Sequence, residues 1–154
     1  MTSGLQKMPD HAELEFFDTI SGRLEIELDV PAEPVADLLN LQASPDARVV
    51  KMSLVAEIFD EVAGEFRSIT EEELNRVAFR GANLKLSGES EVTVSHAAPN
   101  GEYFTVRELL RVIEETEQQT RDQSEWLGGV DVHHCFFEGI CNEEGDVRSI
   151  YWGS

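Results

Sequence analysis

Leu24, Ile26 and Leu28 alternate with Arg23, Glu25, Glu27 and Asp29. A period of two with one charged face predicts a half-buried strand, which ends at Pro31. Val35, Leu38, Leu39 and Gln42 then recur three and four apart behind a proline, so residues 31–42 read as a short helix. Ser44-Pro45-Asp46 is a stronger helix start: a capping hydroxyl, a proline tolerated in the first turn, and an acid at the positive end of the dipole. Met52, Val55, Phe59, Val62 and Phe66 follow at helical spacing, Leu54 and Ile58 widen the stripe, and Gly64 offers a stop. The β-branched Val49 and Val50 leave a strand over 49–58 as the competing reading; the helix is preferred. Thr70-Glu71-Glu72-Glu73 is a capping box, which predicts a third helix with Leu74, Val77 and Ala78 buried and Gly81 closing it.

Beyond Gly81 the signals change to strands. Residues 83–87 and 91–96 flank Gly88 as a hairpin. Pro99-Asn100-Gly101 is a turn, and residues 102–105 make a third strand. Thr105-Val106-Arg107-Glu108 is a second capping box, and Val106, Leu109, Leu110 and Ile113 give the helix behind it one apolar face. Residues 114–125 hold no large apolar side chain, which predicts a solvated or frayed second half. Trp126 and Leu127 anchor the chain again before Gly128-Gly129. Residues 130–141 and 146–152, joined by a four-residue turn containing Gly145, read as a closing hairpin. The order β-α-α-α-β-β-β-α-β-β implies an α+β fold: a mainly antiparallel sheet with three to four helices packed on one side. Residues 1–10 are expected to be a disordered tail, and residues 11–154 one α+β domain.

Composition supports a packed core: 154 residues, 41% apolar and 28% charged. A chain of this length buries roughly 70% of its unfolded surface. Two cysteines are too few to staple a secreted scaffold. No apolar run approaches the ~18 residues of a membrane span, and residues 1–10 lack the apolar segment of a signal peptide. The expectation is a cytoplasmic protein.

Charge changes the picture most. Twelve basic residues face 31 acidic ones, for a net charge of −19. Such a surface repels phosphates and anionic membranes and attracts basic proteins. Nucleic acid and membrane partners are therefore not expected, because the few cations are scattered rather than clustered. Residues 57–73 carry seven acids against Arg67 alone. Read as two adjacent helix faces, this stretch offers Glu57, Asp60, Glu61, Glu65, Glu71 and Glu72 to a cationic partner. Solubility is the competing explanation of the same acidity.

The densest chemistry lies in residues 126–138. On a strand Asp131, His133 and Cys135 share one face. Carboxylate, imidazole and thiolate are competent zinc ligands, with His96 or Cys141 as the candidate fourth. The same three residues could act as orienting acid, base and thiolate nucleophile. Against both stands the absence of any Cys-x-x-Cys or His-Glu-x-x-His spacing, and the ordinary role of a cysteine as a small buried hydrophobe. The expectation is an inhibitor- or immunity-like acidic protein that engages a basic protein partner without catalysis or cofactor. The alternatives are a small hydrolase or metal-dependent enzyme on the Asp131/His133/Cys135 strand, and a homo-oligomer subunit that pairs through its C-terminal hairpin.

Overall fold

A computed structural model of the chain describes residues 13–29, 48–121, 134–144 and 146–153. The strands are Ile20–Asp29 (β1), Arg48–Asp60 (β2), Glu65–Arg67 (β3), Val77–Arg80 (β4), Asn83–Ser87 (β5), Thr93–Ala97 (β6), Tyr103–Thr105 (β7), Phe136–Glu144 (β8) and Val147–Gly153 (β9). The helical segments are Glu13–Phe17 (α1), Glu71–Leu74 (α2) and Val106–Thr120 (α3). Seven strands form one sheet in the order β3-β2-β1-β8-β9-β5-β6, and β4 pairs with β7 in a separate ribbon. Every pairing is antiparallel except β5 with β9.

Sheet dominates among the described residues, and this corrects the expected architecture of three to four packed helices. Only α3 exceeds two turns; α1 has five residues and α2 four. The helix expected from Ser44 onward is strand β2. Its buried or half-buried apolar positions are Met52, Leu54, Ala56 and Ile58, a period of two, and its register with β1 runs unbroken from Ile20–Ile58 to Glu27–Lys51. The helical spacing was produced by Val55 and Phe59, which point out of the opposite face. The helix begun by Thr70 stops after one turn, and Val77 and Ala78 belong to β4. The helix expected over 31–42, the tail at 1–10 and the glycines at 128–129 lie outside the described residues.

The capping boxes do start helices. Thr70 accepts from the Glu73 N–H while the Glu73 carboxylate accepts from the Thr70 N–H, and Thr105 and Glu108 repeat the exchange. This satisfies two of the orphan donors at each helix start. Helix α3 then lays Val106, Leu109, Val112 and Ile113 into the core. The same buried cluster contains Leu24 and Ile20 of β1, Met52 of β2, Leu84 and Leu86 of β5, and Ile140 and Ile150 of the β8–β9 hairpin. Phe17 of α1, Phe137 and Trp152 stack edge-to-face in a row, with ring centroids 5.7 and 5.9 Å apart. Each such pair adds about 0.5–1.5 kcal/mol beyond its area burial.

The β2–β3 hairpin is tied to α2 by one ion pair. The Arg67 guanidinium donates twice to the Glu73 carboxylate, both at 2.9 Å. These bonds, helped by the Thr70 N–H, pull the Glu73 carboxyl from its ordinary 4.5 down to about 2. A depressed carboxyl stabilises the fold fully above the unfolded value and loses that contribution as pH falls towards the folded one. Glu73→Gln is therefore expected to be less stable than the parent chain at neutral pH, with the gap closing between pH 4.5 and about 2. Denaturant midpoints across that window check this; a gap that does not narrow with acid contradicts it.

Candidate functional site

The sequence places its densest chemistry before β8. Asp131, His133 and Trp126 lie outside the described residues. Cys135 is buried within the hydrophobic core, and its carbonyl accepts from the Leu24 N–H at 2.9 Å. His134 is half-buried, with Nδ1 3.9 Å from a Glu89 carboxylate oxygen. The fourth candidate ligand, His96, is buried on β6 and joined through Nε2 to the Thr116 hydroxyl at 2.7 Å. That hydroxyl donates to the Val112 carbonyl, so the imidazole must donate from Nε2 and leave Nδ1 facing Glu115 at 3.8 Å. Among the described residues no three His, Cys, Asp or Glu side chains are grouped to hold a metal ion.

Burial pushes the His96 imidazole below its ordinary 6.5, with the Glu115 carboxylate partly opposing the shift. The neutral ring fits the fold, so this site's contribution is complete above the unfolded value and declines as pH falls below it. Stability is expected to drop on going from pH 7 to pH 5, and His96→Gln is expected to flatten that slope. Chemical denaturation at the two pH values checks this, and an unchanged slope in the variant contradicts it.

Beside His96, the second half of α3 overturns the expectation of a solvated or frayed segment. Thr116, Glu117, Thr120 and Arg121 are all buried, and the salt-bridged side chains of Glu117 and Arg121 are 0% exposed. Arg121 Nε donates to Glu117 Oε1 at 2.7 Å. The other carboxylate oxygen accepts from Trp152 Nε1 at 2.8 Å and from the Glu89 N–H at 3.0 Å. Arg121 Nη1 donates to the His134 carbonyl at 2.9 Å, and the guanidinium lies 5.5 Å from the Trp152 ring. One buried pair thus ties α3 to β9, to the loop after β5 and to the entry of β8. Gly88 is required for the approach: a Cβ there would sit 1.8 Å from Glu117 Oε2.

Desolvating two charges is expensive, and removing one partner leaves the other buried and alone. Glu117→Ala is expected to cost about 3–5 kcal/mol. Glu117→Leu combined with Arg121→Met is expected to cost less than either single change, because no unpaired charge remains. Denaturant unfolding of the four proteins tests this, and additive single costs contradict it.

The opposite face of the sheet has a different character. Along β1 and β2 the outward positions are Ser21, Arg23, Glu25 and Glu27, facing Glu57, Val55, Ser53 and Lys51 in register. Phe66 of β3 stands beside Phe59 of β2, with ring centroids 5.1 Å apart, and Phe136 of β8 stands opposite Arg23. Val55, Phe59, Phe66 and Phe136 are 41%, 46%, 51% and 49% exposed. Between them runs an open groove of about 420 Å³, lined by Ser21, Arg23, Val55, Glu57, Phe66 and Phe136. Arg23 is neutralised by Glu25 at 2.9 Å. Glu57 and Glu138 are exposed; the Glu138 carboxylate lies over Gly153, which pairs with Phe136.

The six acids assigned to a docking face are distributed differently from the two helix faces expected. Glu57 points out of the open face. Asp60 is spent on its own turn, accepting from the Val62 and Ala63 N–H groups at 3.0 and 3.1 Å. Glu61 is exposed in that turn, and Glu65 pairs with Asp60 across the hairpin. Glu71 and Glu72 are exposed on α2, with Glu71 paired to Arg107. The C-terminal hairpin, expected at a sheet edge where it could pair with a copy, lies inside the strand order between β1 and β5. No helix among the described residues is long and apolar enough to cross a membrane. Comparison with protein families, with curated proteins and with solved structures finds no match to this chain.

Proposed function

We propose that this chain is a non-catalytic acidic binding protein, and that a basic protein partner docks on the open face of its seven-stranded sheet. The observation that carries the reading is the cluster of Phe59, Phe66 and Phe136, each about half exposed on a face that no described element covers. Large half-exposed aromatics gathered on one face are the usual anchors of an interface. Exposed carboxylates at Glu57, Glu61 and Glu138 border them. The net charge of −19 sets the sign of the partner and speeds its approach. The aromatic anchors supply affinity through desolvation, and the acids supply selection against anionic partners.

Capture from extract of the native cell tests the reading. The parent chain is expected to retain a cationic protein at low salt. Phe66→Ser with Phe136→Ser is expected to abolish retention while leaving the fold intact. Glu57→Lys is expected to weaken retention, and raising ionic strength from about 0.01 M to about 1 M, which shortens the Debye length from about 30 Å to about 3 Å, is expected to weaken it by at least about tenfold. A retained partner that is itself acidic, or retention unaffected by these changes, contradicts the proposal.

A further inference from the structure

The two edges of the large sheet are finished in different ways. At one end β3 is three residues long and two of them, Glu65 and Arg67, are charged. Beyond β3 the outer side of β2 is met by α3, where a Glu114 carboxylate oxygen accepts from the Leu54 N–H at 2.8 Å. Short charged strands and edge-covering groups are how proteins prevent unwanted strand pairing.

At the other end β6, Thr93-Val94-Ser95-His96-Ala97, has no Lys, Arg, Asp, Glu or Pro. It pairs with β5 without a register shift, from Asn83–Ala97 to Ser87–Thr93, and has no other strand neighbour among the described residues. The Ala98 N–H donates back to the Ala82 carbonyl at 2.8 Å. Antiparallel pairing alternates, so the N–H groups of Val94 and His96 also turn towards β5. Those of Thr93, Ser95 and Ala97 turn outward, and all three residues are exposed. This edge is therefore straight, uncharged and ready to accept a strand.

Its surroundings select what can add. Between Lys85 and Arg107 the chain has no lysine or arginine but three glutamates, Glu89, Glu91 and Glu102. A groove of about 630 Å³ lies over β9 and the Gly88 turn, and it reaches β6 at Thr93, beside the exposed Glu91. On the inner side the half-exposed Glu115 carboxylate stands 3.8 Å from His96. A second copy of this chain would bring the same acids against one another. We infer that the free edge of β6 accepts an extended, basic polypeptide segment by strand addition. Its main chain pairs with Thr93, Ser95 and Ala97, and its basic side chains, alternating between the two faces, meet Glu91 on one side and Glu115 on the other. This surface is at the opposite end of the sheet from the aromatic patch and shares with that reading only the sign of the partner.

The test is an NMR titration of the isotope-labelled full chain with a peptide of alternating lysine and valine. The expected result is amide shifts centred on Thr93, Ser95 and Ala97, with affinity falling at least about tenfold from low to high salt. The same peptide methylated on alternate backbone nitrogens, which removes the donors a new strand needs, is expected to lose binding. Ser95→Pro is expected to lose it too, and the methylated peptide keeps the test valid should that variant fail to fold. Three results overturn the inference: shifts confined to Phe59, Phe66 and Phe136, equal binding of an alternating threonine–valine peptide, or concentration-dependent self-association through β6. The first of these leaves the aromatic-face reading standing, whereas shifts at β6 alone leave this inference standing without it.

Discussion

Among the described residues one long helix serves a seven-stranded sheet, and most of their arrangement follows from that mismatch. Fifteen residues of α3 span about 22 Å, whereas seven strands are spaced over about 29 Å. Among the described residues the helix, with the β4–β7 ribbon and the short α1, covers one face, and on the other Val55, Phe59, Phe66 and Phe136 are exposed. The last turn of α3 finishes on buried polar contacts. The Glu117–Arg121 pair makes this turn a tie between four segments, at the cost of burying two charges.

That arrangement separates the packed core from the surface proposed for recognition. Core packing, the buried pair and the neutral His96 are all on the covered side or at the helix end. The carboxylates and aromatics proposed to meet a partner are on the bare side, where substitution costs little folding energy. The two sheet edges extend the same division. One is closed by a short charged strand and by Glu114, while β6 is left open beside a segment that carries glutamates and no cations.

Much of the local structure was legible in the residues. Alternation marked β1, the Thr70 and Thr105 capping boxes marked two helix starts, and the glycine-bearing turns marked the β5–β6 and β8–β9 hairpins. The exposed aromatics hid β2. Val55, Phe59 and Phe66 supplied a helical spacing that outweighed the period-two set Met52, Leu54, Ala56 and Ile58, so the patch that now suggests function was what disguised the strand. Hydropathy also missed the end of α3, because a buried ion pair looks like a solvated surface. The usable signal was positional: Thr116, Glu117, Thr120 and Arg121 continue the stripe of Leu109 and Ile113 at three and four residues. Cys135 is buried in the core, the ordinary place of a small sulfur-bearing hydrophobe, and its neighbours in sequence do not fix which strand it faces.

If the aromatic sheet face binds the partner, its outward rings lose solvent access in the complex. Hydroxyl-radical footprinting of the protein alone and bound to its partner tests it most directly. The account predicts strong labelling of Phe59, Phe66 and Phe136 in the free chain, and their protection in the complex, while Phe17, Phe104 and Phe137 stay unlabelled in both. Weak labelling of the three outward rings in the free chain, or labelling unchanged on binding, would contradict it.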